Sequence, residues 1–201
     1  MNFITSYCQI KNHSIFYQGK SIFQYADRGL DSFLDQAFLS LLVNYPKFYK
    51  MDRLSKCGFL AAEVLLQDQA FLRHYAPQEV AVILSNAHAS LDTDLRFFES
   101  TKTIASPALF VYTLTNIVTG EICIRHGIKG ENAFFVSERF DPFQMTEYVE
   151  LVVASEKTGG CIAGWIDVLA DQHDVFLYLV EKRQNKLALE HTAEQLRKLY
   201  S

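Results

Sequence analysis

The sequence predicts an α/β domain in which a mixed central sheet is covered by helices. Two short apolar, β-branched runs, Val80-Ala81-Val82-Ile83-Leu84 and Val175-Phe176-Leu177-Tyr178-Leu179-Val180, have the character of buried strands. Segments with helical spacing fall between the strand-like runs. Asp141-Pro142-Phe143-Gln144 has the pattern of a helix start, with Asp as N-cap, Pro at the first helical position and Gln in capping-box position. Strands alternating with helices argue for layers around one core.

The elements follow in order. Residues 2–9 give a first strand. Phe33, Leu34, Ala37, Phe38, Leu41 and Leu42 then keep helical spacing, as do Leu54, Phe59, Ala62, Leu65 and Leu66. Val80–Leu84 is the next strand, and Phe134-Phe135-Val136 and Cys161-Ile162-Ala163 resemble it. The helix opened by Asp141 runs through Tyr148, Leu151, Val152 and Ser155 until Gly159-Gly160 ends it. Val175–Val180 is the strongest strand. An amphipathic helix with Leu189, Ala193, Leu196 and Leu199 on one side closes the chain. With no linker, low-complexity tract or repeat, residues 1–201 are expected to form a single domain.

With 201 residues, of which 49% are hydrophobic and 21% charged, the chain can bury a sizeable core without staples. A formal net charge of -4 and scattered Lys and Arg give no electrostatic footprint for nucleic acid. Neither a signal-peptide pattern nor a bilayer-length apolar stretch occurs, so no membrane insertion and a cytoplasmic location are expected. Cys8, Cys57, Cys123 and Cys161 lie far apart and form no CxxC pair. Reduced, buried thiols are therefore expected rather than disulfides or a metal site. No phosphate loop or dinucleotide fingerprint implies a cofactor. His88, beside Asn86 and Ser90, follows a strand but accompanies no nucleophile elbow, and such loop histidines are mostly solvated. Asp92 and Asp94, with Glu99 nearby, read as a solvated helix start rather than a metal site.

Three segments, in a fixed order, resemble the β-ketoacyl (acyl-carrier-protein) synthase family. Lys50-Met51-Asp52-Arg53-Leu54-Ser55 is similar to the family's K-M-D-R-x-S helix start, and Glu79–Asn86 is similar to the strand and turn that follow it. Asn116, Gly120 and Gly127-Ile128-Lys129-Gly130-Glu131-Asn132 match the longest motif at its offsets, introducing the family's nucleophile strand. As isolated residues, the glycines would read as turn positions and Asn116 as a helix cap. The resemblance covers nearly the whole chain but only the family's N-terminal half. It implies half of a thiolase-like fold.

In the family a Thr-Ala-Cys turn follows that strand, with the cysteine activated at a helix N-terminus. Here Ser137, Glu138 and Arg139 match those three positions, and no cysteine lies between Cys123 and Cys161. A guanidinium stays protonated and cannot attack a thioester. Glu138 is a candidate local partner for Arg139. The same register puts Trp165 on a family glycine and Asp167 on the acidic residue after it. The family's long excursion before the next strand shrinks to Val168–Asp174.

The resemblance thus implies a non-catalytic ketosynthase-like subunit of a fatty-acid, polyketide or aryl-polyene-type pathway. Its expected partner is a ketosynthase-like chain or a second copy, with an acyl carrier protein as a further candidate. The interface residues implied are Asn132, Ala133, Phe134, Phe135 and Val136, the strand that pairs across the family's two-fold axis. The alternative is a shortened 3-oxoacyl synthase or acyltransferase with relocated residues, such as Cys123 or His88, with Glu138 and Arg139 as further site candidates.

Overall fold

The structure, a computed structural model, describes residues 2–25, 29–67, 70–183 and 188–201. Its centre is β4 (Val80–Asn86), all seven residues of which are buried. Val82 and Leu84 enter one hydrophobic cluster while Ala81 and Ile83 enter a second. Covering both faces is what makes the run continuously apolar rather than alternating. β7 (Gln172–Glu181) behaves the same way, with Val175, Leu177 and Leu179 on one side and Phe176, Tyr178 and Val180 on the other.

β5 (Asn132–Val136) and β6 (Gly160–Leu169) flank β4, both parallel to it. β7 returns antiparallel along β6, and β1 (Phe3–Lys11) lies antiparallel to β7. β2 (Ser14–Tyr17) and β3 (Lys20–Gln24) extend the sheet as successive hairpins. The order is β3-β2-β1-β7-β6-β4-β5, with a short β8 (Leu189–Glu190) also pairing with β1. This mixed sheet is the one expected from the sequence.

On one face lie α1 (Gly29–Ser40), α2 (Arg53–Leu65) and α6 (Ile117–His126). Their core is aromatic: Phe38 stacks on Phe48 with ring centroids 4.1 Å apart, and Phe48 meets Phe59 at 5.5 Å. α2 is the most deeply packed helix, and Asp52 caps it by accepting the Ser55 N–H at 2.9 Å. The motif around Lys50–Ser55 is therefore a helix start in fact. The opposite face carries α7 (Pro142–Ala154) and α8 (Ala193–Tyr200). Asp141 caps α7, accepting from the N–H groups of Phe143 at 2.9 Å and Gln144 at 3.2 Å.

Some boundaries differ from the sequence reading. α7 ends at Ala154, and Gly160 opens β6 instead of merely closing the helix. Leu189 belongs to β8; the last helix starts after Thr192, whose hydroxyl caps it. Asn116 takes the N-cap position of α6 without a side-chain cap bond, whereas Gly127 ends α6 at φ +68, a left-handed conformation glycine adopts without Cβ strain. Residues Val168–Asp174 are a tight hairpin, with Leu169 paired to Gln172 across Ala170-Asp171. Its tip is anchored from afar. Asp92 accepts the Ala170 N–H at 2.8 Å, Arg53 donates to the Ala170 carbonyl at 3.0 Å, and Arg53 also grips Asp31 at 2.6 Å.

α4 (Leu91–Ser100) is therefore no solvated acidic helix start. Its buried residues are Asp92 and Thr93, and Thr93 donates to the Asp52 carboxylate at 2.7 Å. Burial pushes the Asp52 carboxyl above its ordinary range, and the bonds from Ser55 and Thr93 oppose that shift. The two remaining short helices are α3 (Ala70–His74) and α5 (Pro107–Val111).

Candidate functional site

Parallel strands β4 and β5 end together, and the loops that leave them form the candidate site. Ser137 donates its N–H to the Asn86 carbonyl at 2.9 Å, tying one loop to the other. Asn86 is wholly buried and folds the next turn onto itself. Its side-chain oxygen accepts from the Ala89 N–H at 3.0 Å, and its amide donates to the Ala89 carbonyl at 2.9 Å.

Asp167, from β6, completes that turn. One carboxylate oxygen accepts from the Ala87 and His88 N–H groups, both at 3.0 Å, and the other lies 2.8 Å from His88 Nδ1. His88 is thus oriented by a carboxylate, the arrangement that fixes an imidazole's tautomer. It is a paired, half-buried side chain rather than a freely solvated one. Among the described residues its ring bonds to no hydroxyl or thiol, so it has no nucleophile to activate. Sequence reasoning picked out His88 and Asp167 separately, but 79 residues separate them and no local pattern joins them.

The Ser137–Asp141 loop departs from a nucleophile turn in a definite way. The Ser137 hydroxyl donates to the Arg139 carbonyl at 3.0 Å. Phe140 is buried, its ring 6.2 Å from Trp165, 5.6 Å from Phe176 and 4.7 Å from Tyr200. With Phe140 turned inward, Glu138 and Arg139 are exposed, and no ion pair joins them among the described residues. The expected Glu138–Arg139 contact is absent because neither loses water by staying apart. α7 starts only at Pro142, and the Asp141 carboxylate already occupies its first free N–H groups. Arg139 therefore stands outside the helix-terminal field that would activate a thiol there.

Trp165 is buried beside Phe140, so the ring fills space next to the loop. Gly164 before it holds φ +150 in the middle of β6, and a Cβ there would lie 1.9 Å from the Phe176 carbonyl oxygen. Cys123 sits on α6, packed against the opposite cluster, and partial burial pushes its thiol up to about 11. Burial raises the thiols of Cys8, Cys57 and Cys161 further still. Burial thus disfavours the thiolate form at all four cysteines. Among the described residues, no group of His, Cys, Asp or Glu could hold a metal ion, and no helix is long and apolar enough to cross a membrane.

β5 has β4 on one side only. Among the described residues no strand pairs with its other side. Val82 donates to the Glu131 carbonyl and Ser137 to the Asn86 carbonyl, so the odd-numbered residues of this stretch bond to β4. Alternation then directs the backbone N–H and C=O of Asn132, Phe134 and Val136 toward the open edge. Phe134 packs on the α6 side and Phe135 on the α7 side, where it meets Tyr148 edge-on at 4.7 Å. Ala133 is half-buried, whereas Asn132 and Val136 are exposed.

No model of a known protein family matches the sequence, and no curated protein does. Solved structures do. The ishigamide ketosynthase/chain length factor superposes with TM-score 0.65 and 18% identity, over 90% of this chain and 62% of that one. A β-ketoacyl synthase from Burkholderia phymatum STM815 gives TM-score 0.61 and 12% identity, over 100% of this chain and 61% of its own. The complex of the ketosynthase ApeO with its chain length factor ApeC from Xenorhabdus doucetiae gives TM-score 0.57 and 11% identity, over 92% of this chain and 81% of the matched one. This chain therefore spans less than two thirds of the first two of these proteins, and at such identities the likeness concerns the fold. The chain resembles the ketosynthase-like proteins in fold, a mixed α/β architecture of the thiolase-like kind.

Proposed function

We propose that this chain is a non-catalytic, ketosynthase-like subunit that pairs with a ketosynthase-fold partner through the open edge of β5. The observation that carries the proposal is a strand, apolar from Ala133 to Val136, with one side unbonded among the described residues, on a fold shared with proteins solved as ketosynthase/chain length factor pairs. An open apolar edge is a template for strand addition, and proteins keep such edges covered or charged. Joining it to a partner strand would satisfy the outward backbone groups of Asn132, Phe134 and Val136. A role like that of a chain length factor in a polyketide-type pathway follows, and fatty-acid or aryl-polyene synthesis are the related settings. An acyl carrier protein would then be met by the pair rather than by this chain alone.

The enzymatic alternative needs a nucleophile. Cys123 has a raised thiol pKa, and His88 faces Asp167 with no hydroxyl or thiol beside it. Both favour the pairing role.

The test is co-expression with the full-length ketosynthase encoded nearest to this chain's gene, followed by size-exclusion chromatography with light scattering. A 1:1 complex is expected. Val136→Pro should abolish it while leaving the fold intact, because it removes an outward N–H and none of the bonds to β4. A chain that stays monomeric at high concentration and binds no ketosynthase would refute the proposal.

A further inference from the structure

A cleft of about 620 Å³ opens where three helices end. α1 stops at Ser40, α2 at Leu65 and α6 at His126, and residues at or just past these ends line it, together with Leu72 of α3. Its size falls within the range of about 300–1,000 Å³ typical of small-molecule sites. α6 leads through Gly127 into the start of β5 at Asn132. The cleft therefore lies toward the starts of β4 and β5, away from the loops that leave their ends.

His126 lines the cleft with a side chain only 10% exposed, and its Nε2 has no hydrogen-bond partner among the described residues. Glu63 Oε1 is 3.5 Å away, too far for a good bond. A buried polar atom left in this state is costly. Burial lowers the pKa of the ring against the pull of Glu63, so the imidazole is neutral near pH 7. Arg125 is fixed beside it. Its Nε and Nη2 donate to the two Glu63 oxygens at 2.6 and 3.2 Å, and its guanidinium lies 5.0 Å from the Tyr45 ring centroid. Its Nη1 has no protein acceptor among the described residues. At the mouth, Leu42 follows the end of α1 at φ +54, the left-handed conformation in which helices usually place glycine. Its side chain is 93% exposed. Glycine there would remove both the backbone strain and the exposed apolar group. Leucine gains over glycine only where something apolar covers it.

Charge decides the class of occupant. Glu63 and the carbonyl ends of three helices repel an anion, and Arg125 repels a cation. Glu63 and Arg125 balance each other, which leaves a neutral head the best fit. We infer that the cleft is a binding site for a small neutral amphiphile, an amide-headed molecule with a short alkyl tail. Its carbonyl accepts from Arg125 Nη1 and its N–H meets His126 Nε2, both groups without a protein partner. Its tail lies along Leu41, Val43 and Leu72, which are half-buried, and covers Leu42. This site is independent of the pairing reading.

The probe is hexanamide, with hexanoate and hexylammonium as its charged counterparts, titrated into the full labelled chain near neutral pH while backbone amide resonances are followed by NMR. Hexanamide should shift residues 41–44, 66–67 and 125–126 saturably, half-saturating near about 1 mM, with each ion at least about ten-fold weaker. Leu42→Gly should weaken hexanamide by about five-fold or more while preserving or raising the melting temperature, a split that a purely structural leucine would not give. His126→Phe should weaken it by about ten-fold; should that variant fail to fold, Leu42→Gly and the two ions still decide. The inference is overturned if no saturable shift appears at these residues up to about 20 mM, if either ion binds as tightly as the amide, or if Leu42→Gly binds like wild type. Absence of fragment binding, with residues 41–44 gaining hydrogen-exchange protection only in a complex with the ketosynthase, would make Leu42 a protein contact and overturn it too.

Discussion

Replacing Gly164 by Ala should destabilise the protein severely, although it adds one methyl group. Gly164 lies in β6 between Leu84 of β4 and Leu177 of β7, at φ +150. The added Cβ would sit 1.9 Å from the Phe176 carbonyl oxygen, 2.9 Å from its carbon and 3.0 Å from the Leu177 Cα. These are backbone atoms of a central strand and cannot swing away. Forcing a side chain into that backbone region costs about 1–3 kcal/mol. Parting β6 from β7 far enough to relieve the overlap would lose at least one ladder bond, about 1 kcal/mol, and loosen the packing of Trp165 and Phe176. The total, about 3–5 kcal/mol, is a large fraction of a typical stability of about 5–15 kcal/mol. At about 2–4 °C per kcal/mol for a chain of this size, the melting temperature should fall by roughly 6–20 °C. Gly120→Ala is the control. That glycine lies in α6 with nothing within 4 Å of a built Cβ, so alanine should stabilise by up to about 1 kcal/mol. Thermal denaturation followed by circular dichroism decides the matter. Indistinguishable melting temperatures for Gly164→Ala and wild type would refute the clash argument.

Three other outcomes are expected. Arg139→Cys should not create an activated thiol, because Asp141 already caps α7 and residue 139 stands three positions before its first residue; its alkylation should follow an ordinary thiol pKa of about 8.5, and fast alkylation at pH 6 would count against this. Tyr178→Phe should be neutral or stabilising by about 1 kcal/mol in a urea titration, since the buried hydroxyl has no hydrogen-bond partner among the described residues; a loss above about 2 kcal/mol would reveal a partner. Stability should decline as pH falls below about 6.5. Burial depresses the pKa of His126, His173 and His191, so each is neutral when folded and takes up its proton more readily when unfolded. Their contribution is full above the unfolded value and lost as pH falls toward the folded ones. Asp52, with a raised pKa, works in the opposite direction only in the carboxylate range. A urea midpoint equal at pH 7.5 and 5.5 would contradict the assignment.

What the sequence alone determined were features written within a few residues of one another. Val80–Leu84 and Val175–Val180 read as strands because both faces of each are buried, which leaves an uninterrupted apolar run. Asp141 was legible as a helix start because a cap acts on N–H groups two or three residues away, while the start around Asp52, capped the same way, was legible through the family resemblance of Lys50–Ser55. The β1–β2 and β2–β3 hairpins carry a short-range mark of their own: Asn12-His13 and Gln18-Gly19, respectively, are two-residue turns with positive φ. Leu189 was drawn into a helix because its spacing from Ala193 suits one, yet pairing of Leu189–Glu190 with β1 outweighed that local preference. Only the tertiary structure decided the rest. It placed β5 at an open edge, set Asp167 against His88, buried Asp92 and Thr93 and left Leu95 and Phe98 outside. Each of these depends on strand order or on contacts across 40 or more residues, such as Thr93 to Asp52 and Asp92 to Ala170. Periodicity says that a helix has two faces. Only the packed sheet and its polar anchors determine which face turns inward.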